Sequence, residues 1–428
     1  MNTHSFGAVA LTLAGGMALP QPTYADVLSS PTSARSAQAA GGAGNAFNPA
    51  ISLILDGRYV ATDLDELEFA GFQANGAEAP EDGFGLGETE LAISANVDDK
   101  VLGWLTVALE DEDGETEVEL EEAYIETIGL GHGLTLRGGR FYSHLGYENP
   151  VHDHALDFTD RALVYSALFG GNFIGDGIQA RWIAPTDIFL ELGAELGSGT
   201  NFPGGDNDSD IGSSTAFVRT GGDFGVSHAW RLGASYFSAD FDERGDSSED
   251  FPDQAFAIVD GSSDILGIDL VYKWAPNGNS RQRNLKIVAE YLTRSEDGLA
   301  SFDANGEQAS ARYDGDQDGF YIQSMYQWRP NWRVGLRYDR LSSDNRLNGF
   351  DADADGNATN VALADFTDRS GLFDDSDPRR WTASVDYSPS EFSRFRLQYS
   401  DTDTGDLSED AVILQYIVSL GSHPAHSF

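Results

Sequence analysis

The sequence of 428 residues contains no cysteine, so a disulfide-stabilised scaffold and a metal site built on thiolates are both excluded. Beyond a short apolar stretch near the N-terminus, no run reaches the roughly 20 apolar residues that a membrane-spanning helix requires. Basic residues are scarce, since 26 lysines and arginines stand against 70 aspartates and glutamates, for a net charge of −44. That balance excludes an electrostatic nucleic-acid binder. We find no G-x-S-x-G motif or other catalytic constellation, and we predict that the chain is not an enzyme.

The first 25 residues have the features of a secretory signal peptide. The apolar stretch from Phe6 to Leu19 is too short to span a membrane as a helix, and Ala25 offers a small residue for cleavage. The region before it has His4 but no lysine or arginine, so a buried N-terminal helix is the alternative. We predict a signal peptide over 1–25, a flexible segment over 26–46 and one β-domain over 47–428.

From Ile51 onward, segments of about ten residues alternate apolar with polar or small residues, and turn signals separate them. In 188–196, for example, the even-numbered residues are apolar, whereas Glu191 and Glu195 lie on the opposite face. A length of about ten residues fits a tilted strand that crosses a membrane. The pattern predicts sixteen strands, at 51–60, 84–96, 101–110, 117–128, 132–142, 174–184, 187–196, 213–221, 226–239, 264–274, 283–294, 319–328, 332–341, 379–388, 393–401 and 410–420.

The connections between these segments alternate strictly between short turns and longer loops that are mostly rich in Asp, Gly, Ser and Asn. Outer-membrane barrels have this arrangement, with the short turns in the periplasm and the long loops outside the cell. A soluble β-sandwich also alternates along its strands but has no reason to keep this asymmetry through the whole chain. The sequence therefore predicts an all-β fold, a transmembrane antiparallel β-barrel of about sixteen strands in the bacterial outer membrane.

Six of the seven tryptophans lie within a few residues of a short turn. Tryptophan prefers the interface between membrane and water, because its ring is apolar and its N–H requires a partner. Packing anchors in a soluble core would instead be scattered along the strands. We predict that one half of an aromatic girdle consists of Trp104, Trp182, Trp230, Trp274, Trp328 and Trp332.

The faces opposite the apolar ones carry many charges of both signs. Unpaired charges in a dry core are costly, so these side chains predict a water-filled lumen. The alternative is that most of them form ion pairs that stiffen the wall, and that only a few near a constriction set selectivity. The predicted pore-lining residues are Arg137, Arg181, Glu191, Glu195, Arg231, Glu290, Arg333, Arg337, Arg394 and Arg396.

The long loop between the fifth and sixth predicted strands, residues 143–173, is a candidate metal site. By analogy with general porins, we expect it to fold inward and narrow the pore. Three of the eight histidines lie in it, and imidazole together with carboxylate suits zinc or another divalent transition metal. The alternative is that these are polar loop residues bonded to the barrel wall. The candidate ligands are His144, His152, Asp153, His154 and Asp157.

Two acidic segments, 314–319 and 351–356, resemble the beginning of a calcium-binding loop. Their twelfth positions are Met325 and Ala362, where a bidentate glutamate is required, so neither is an EF-hand. Weak Ca²⁺ binding in acidic outer loops is one expectation, and solvated acidic loops are the alternative.

Several stretches, among them LTLRGGRFYSHLGYENPVHDHALDFTD and the C-terminal LQYIVSLGSHPAHSF, resemble a family of outer-membrane proteins described as zinc-regulated or TonB-dependent-receptor-like porins. The resemblance runs from about Asn48 to Phe428. It implies an outer-membrane barrel and a link to zinc uptake. A true TonB-dependent receptor has a barrel of about 22 strands and an N-terminal plug domain. Segment 26–46 is too short to form a plug domain, so we expect a barrel without one.

These observations favour a passive channel for small solutes or ions, with zinc as a candidate cargo. The alternative is a non-conducting barrel with a structural or adhesive role, whose loops fill its lumen. Expected partners are outer-membrane lipid and lipopolysaccharide. A homotrimer is a further expectation, because trimers are common among sixteen-strand porins.

Overall fold

The computed structural model describes residues 44–45, 48–62, 69, 71–72, 82–112, 115–207, 211–246, 254–304, 307–351, 366–367, 372, 377–404 and 408–421. Within these ranges no helix is long and apolar enough to cross a membrane. The predicted signal peptide and the acidic residues 352–356 lie outside the described part of the chain, as does all of the predicted flexible segment except Gly44 and Asn45.

The described strands form one closed antiparallel β-barrel. Each strand pairs with its neighbour in the chain, and the last strand pairs with the first, from Ala411 opposite Thr62 to Gly421 opposite Ser52. A two-residue strand, Gly44–Asn45, adds a short parallel pairing with Ala95 and Asn96. The sixteen strands are β1 Ala50–Thr62, β2 Gly83–Leu86 with Thr89–Asn96, β3 Val101–Glu112, β4 Glu115–Thr127, β5 Leu134–Tyr142, β6 Ile174–Ile183, β7 Phe189–Gly197, β8 Ser213–Phe224, β9 His228–Asp246, β10 Gln254–Trp274, β11 Asn284–Ala304, β12 Glu307–Arg329, β13 Trp332–Asp351, β14 Arg379–Ser390, β15 Ser393–Asp403 and β16 Ser408–Gly421.

All sixteen predicted strands are confirmed, but β9 to β13 are much longer than predicted, at 19 to 23 residues. The reason is a change of face. Near the short turns the apolar side chains point outward, as Leu266 and Ile268 do, whereas the distal parts of β9 to β12 bury apolar residues inside. Phe241, Ile258 and Phe302 belong to this inner cluster. These distal stretches are acidic and rich in glycine, and their apolar residues lie on the inner face instead of the outer one. They were therefore predicted to be loops.

The expectation that segment 314–319 is an acidic loop is wrong for the same reason. It lies within β12, where Asp314 is opposite Asp297 on one side and Arg346 on the other. In an extended strand, Asp314, Asp316 and Asp318 share one face at intervals of about 7 Å, so they cannot wrap around one ion as a calcium loop does.

Five of the six tryptophans near the short turns project from the outer face, and Trp230, Trp328 and Trp332 lie next to other aromatic rings. Trp332, for example, lies with its ring centroid 4.8 Å from Tyr387, and Trp230 stacks on Phe224. Trp104 differs from the prediction, because it shares the inner face of β3 with Thr106 and its indole N–H donates to that hydroxyl at 2.9 Å. Two residues along a strand return to the same face, and Thr106 is fully buried.

The connection between β5 and β6 turns into the barrel, and we call residues 143–173 the inward segment. It contains a 3₁₀ turn, Asp153–Ala155, and one helix, α1, Leu163–Phe169. The helix ends where Gly170 adopts a positive φ of 67°, which favours glycine. Six of the seven α1 residues are buried, in an apolar cluster with wall residues such as Phe237, Val288 and Leu292. The inward segment therefore packs as a core element inside the barrel.

Candidate functional site

Next to the inward segment, β4 contains a bulge and its pairing with β5 ends early. The register of β4 against β3 shifts between Thr106 and Val107, so the adjacent residues Glu121 and Glu122 are both buried inside. Pairing between β4 and β5 covers Ala123 to Glu126 only. Beyond it, the Arg140 guanidinium donates to the Leu120 carbonyl at 3.3 Å, and it also pairs with Asp176 on β6. β4 and β5 therefore separate beyond this point, and the Arg140 side chain bridges the gap between them.

The start of the inward segment is fixed by backbone bonds to the wall. Glu195 accepts bonds from the Ser143 hydroxyl at 2.6 Å and from the His144 N–H at 2.9 Å. Arg219 donates to the carbonyls of His144 at 2.7 Å and of Gly146 at 3.2 Å. Both wall residues are buried, so the charges satisfy the segment's backbone groups away from bulk water.

His152 and His154 meet carboxylates of β2 and β4 in what we call the imidazole seat, formed by Glu88, Glu90, Glu121, Glu122, His152 and His154. The Nδ1 atom of His152 lies 2.8 Å from Glu90 Oε1, and the same oxygen contacts Nδ1 of His154. One ligand atom each from Glu88, Glu90, His152 and His154 can be chosen within 4.8 Å of one another. All six residues are less than a tenth exposed. Two imidazoles and two carboxylates at this spacing are a donor set suited to a divalent transition metal.

The imidazole seat is bounded by further bonds from the wall. Glu122 Oε2 lies 3.1 Å from Nε2 of His152, on the side of the ring away from Glu90. The Tyr142 hydroxyl donates to Glu121, and its ring lies 4.7 Å from that of His152. The histidine ring is therefore held on both nitrogens and on one face.

A second group, the arginine seat, consists of Asp160, Arg337, Asp339 and Arg380, and it holds the middle of the inward segment. Arg337 bonds Asp160 at 2.7 Å and Asp339 at 2.9 Å, and Arg380 bonds Asp160 at 2.7 Å. Asp339 also accepts the Leu163 N–H at 3.0 Å, which attaches the beginning of α1 to the wall. Burial alone would raise the pKa of Asp160, but the opposing effect of Arg337 and Arg380 is larger and lowers the pKa to about 2. The carboxylate is therefore ionised at neutral pH.

Glu290 on β11 makes a third attachment. Its carboxylate accepts the Tyr147 N–H at 2.8 Å and the hydroxyls of Tyr165 at 2.9 Å and Tyr321 at 3.0 Å. Gly146, with a positive φ of 60°, passes so close that a β-carbon there would collide with Glu290 and Tyr165. The close approach requires glycine at this position.

The structure separates the other candidate metal ligands from His152 and His154. His144 lies against Arg219, with Nδ1 3.3 Å from the guanidinium, and burial together with Arg219 holds its pKa well below the ordinary value. Asp157 pairs with Lys286 at 2.7 Å, and Asp153 pairs with Arg161 at 2.8 Å. The adjacent cations make these three positions poor metal ligands. Glu88 and Glu90 were not predicted as ligands, because they are far from the histidines in the chain.

The expectation of a water-filled lumen is wrong at the level of the inward segment. Most of the predicted pore-lining residues point inward but are buried there: Arg137, Arg181, Glu191, Glu195, Arg231, Glu290, Arg337 and Arg396. Opposite charges and segment carbonyls satisfy them, as Asp269 does for Arg231 and Asp386 for Arg396. This corresponds to the alternative of wall-stiffening pairs.

Water does reach a strip of lumenal charge on β11, β13 and β15. The side chains of Lys286 and Arg333 are 20% and 26% exposed, and Arg394 is half-buried. In the inward segment, Asp160 is 28% exposed where it pairs with Arg337. These side chains, unlike the buried pairs, are placed to meet a solute.

The barrel is closed, has sixteen strands with outward apolar faces and short turns at one end, and contains the inward segment between β5 and β6. These features define an outer-membrane porin-type channel. The sequence model of the family described as "Putative beta-barrel porin-2, OmpL-like" matches residues 92–410, and the chain belongs to that family. Its place is the bacterial outer membrane. A relative from Aquifex aeolicus (strain VF5), described as an uncharacterized protein, is 29% identical over 416 residues, which cover 90% of this chain and 80% of the relative.

One solved porin shares the fold, and a second solved channel is similar to the chain. The anion-selective porin from Comamonas acidovorans superposes with a TM-score of 0.50 at 10% identity, covering 86% of this chain and 98% of that one. The outer membrane channel DcaP of Acinetobacter baumannii gives a TM-score of 0.49 at 17% identity, covering 87% and 96%.

Proposed function

We propose that this chain is a passive outer-membrane channel for small ions, with its path along the strip of exposed charge between the inward segment and the wall. The observation that carries the proposal is the contrast between charges buried elsewhere and the water-accessible Lys286, Arg333 and Arg394. Lys286 pairs with Asp157 and Arg333 with Asp386, but these carboxylates are only 9% and 1% exposed, so the charge that meets water is mainly cationic and the path favours small anionic solutes.

Planar-bilayer recording of the refolded protein tests this path. We expect steady conductance, and in a salt gradient a reversal potential of the sign that anions produce. Arg333→Glu should shift that potential toward cations, because it inverts an exposed charge on the path. Arg346→Glu is the matched control, since Arg346 is an exposed arginine on the distal part of β13. An equal shift in both variants, or none in either, would refute the proposed path.

Zinc as cargo is a narrower form of the proposal. It is supported by the donor set of the imidazole seat and by the resemblance to zinc-regulated porins. It is opposed by the charge of the exposed strip, because Zn²⁺ would pass three cationic side chains. Zinc current in a zinc chloride gradient, measured as a cationic reversal potential, would favour zinc as cargo over anionic solutes.

The alternative function is a non-conducting barrel with a structural or adhesive role. The observation that favours it is the packing of α1, whose residues Leu163, Tyr165 and Leu168 are fully buried among wall side chains. A dry core at this level obstructs the lumen unless the inward segment moves. Absence of conductance from folded protein would select this alternative.

Two expected partners belong to the same proposal. The outward apolar faces of the strands provide the surface for membrane lipid, and lipopolysaccharide is the expected lipid at the outer end. The homotrimer stays a prediction from strand number. Its test is the mass of the protein in detergent.

A further inference from the structure

We propose that the imidazole seat binds one divalent transition metal ion, held by Glu88, Glu90, His152 and His154, and that this ion latches the inward segment to the wall. The inference rests on the proposed channel only for its consequence, the control of passage. The ion would be resident, and it would join β2 to the segment.

The carboxylates of the imidazole seat outnumber its imidazoles. Four buried glutamates lie around two imidazoles, and buried carboxylates at such short distances must be neutralised, either by protons or by a bound cation. Three arginines interact electrostatically with these acids. Each of them is bonded to a different carboxylate: Arg58 to Asp56, Arg137 to Glu126 and Arg161 to Asp153. A dication at the centre of the seat supplies the charge that these arginines give elsewhere.

The donor atoms of the imidazole seat are also those that a zinc-like ion prefers. Two neutral imidazoles and two carboxylates balance a dication, and this mixture of nitrogen and oxygen selects zinc-like ions over calcium or magnesium. Donor atoms around a tetrahedral zinc ion lie about 3.4 Å apart, for bonds of about 2.1 Å. The four donors already lie within 4.8 Å of one another, so small side-chain rotations complete the geometry.

Neighbouring side chains also hold the proposed ligands in place. A metal-bound imidazole ordinarily bonds a carboxylate through its other nitrogen, which fixes the orientation of the ring. His152 has this arrangement, with Nδ1 toward Glu90 and Nε2 at 3.1 Å from Glu122. The backbone is fixed as well, because Arg161 donates to the Val151 carbonyl at 2.7 Å and Arg394 to the His154 carbonyl at 3.0 Å.

The latch follows from where the ligands come from. Glu88 and Glu90 belong to the barrel wall, whereas His152 and His154 belong to the inward segment. An ion that binds all four favours the conformation in which the segment lies against β2. Binding to that state alone shifts the equilibrium between the seated and released segment by the factor 1 + [metal]/Kd.

Binding is tested on the full refolded chain in detergent, stripped with a chelator and titrated calorimetrically with zinc. We expect one zinc per chain, no comparable binding of calcium, and a cobalt spectrum with the intense visible bands of a four-coordinate site. His152→Gln with His154→Gln should abolish binding, and Glu122→Gln should weaken it roughly 10- to 100-fold, as the loss of an orienting carboxylate does. Zinc affinity should not change in His132→Asn, which alters an exposed turn histidine whose positive φ of 55° asparagine tolerates.

The latch is tested by thiol labelling, because the chain has no cysteine and one introduced thiol is unique. Val164→Cys places a near-isosteric thiol in buried α1. Zinc at about 100 times its Kd should slow labelling roughly 100-fold, and should have no effect when His152→Gln and His154→Gln are also present. Retention of zinc in the double variant, or no zinc bound by folded wild-type protein, overturns the site. Zinc that binds without slowing labelling overturns the latch. Neither measurement needs conductance, so failure of the channel proposal would be seen separately.

Discussion

The two seats of the inward segment are built from opposite chemistry. In the arginine seat, each buried carboxylate has a guanidinium partner: Arg337 bridges Asp160 and Asp339, and Arg380 adds a second bond to Asp160. In the imidazole seat, four carboxylates surround two histidines. The first seat balances its charges with arginine and aspartate side chains alone, whereas the second is neutralised by protons or, when it is bound, by the proposed metal ion. One side of the segment is thus permanently attached, and the other is attached conditionally.

This difference suggests how a segment that packs as a core element can still open a path. Release at the imidazole seat would free the residues near His152 and loosen the packing of α1, while the arginine seat keeps the segment attached to the wall.

The largest effect is expected from Arg337→Leu, which breaks the arginine seat. The substitution leaves Asp339, fully buried, without its ion-pair partner, and removal of one member of a buried pair costs about 3–5 kcal/mol. We expect a lower free energy of unfolding in urea and faster labelling of Val164→Cys, with or without zinc. Arg346→Leu is the control, because its pair with Asp344 is exposed, and no measurable change is expected there. Similar behaviour of the two variants would contradict a special role for the arginine seat.

A smaller effect is expected from Gly319→Val on the wall of β12. A β-carbon at Gly319 would lie 2.7 Å from a methyl of Val164, and overpacking of this kind costs about 1–3 kcal/mol. The added side chain pushes α1 from its place, so we expect larger or more variable conductance in bilayers. Gly85→Val provides the comparison, since nothing lies within 4 Å of a β-carbon there. Unchanged conductance in Gly319→Val would show that α1 does not limit the path.

Strand positions and the alternation of faces could be predicted from the sequence, because near the short turns each face has one chemistry. The predicted strands β9 to β13 were too short at the ends away from the short turns. There, apolar residues such as Phe241 and Tyr313 lie on the inner face while the strand continues. Of the candidate site, His152 and His154 could be found from their spacing. Glu88 and Glu90 could not be assigned to them, since only the closed barrel brings β2 against a segment more than fifty residues further along.

Tyr142→Phe should weaken the imidazole seat modestly. The hydroxyl donates to Glu121, and loss of one such bond costs about 0.5–1.5 kcal/mol, or more where the acceptor is charged. We expect zinc affinity to change less than in Glu122→Gln, because Tyr142 contacts a carboxylate that is not among the four proposed ligands. Tyr165→Phe removes a comparable buried bond to Glu290 and should leave zinc affinity unchanged. An equal loss of affinity in both variants would indicate a general loosening of the segment.

The smallest effect is expected from mild acid on the arginine seat. The folded pKa of Asp160, about 2, lies below the value of about 3.9 for a free aspartate. The stabilisation that Asp160 supplies is therefore complete above about pH 4 and is lost as the pH falls toward 2. In zinc-free protein, where release of metal cannot contribute, conductance should stay level from about pH 7 to about pH 5 and rise only in stronger acid. Asp160→Asn should remove that acid-dependent rise. A conductance that climbs steeply near neutral pH without zinc would mean that a group outside the arginine seat holds the segment, and that the two seats are not independent.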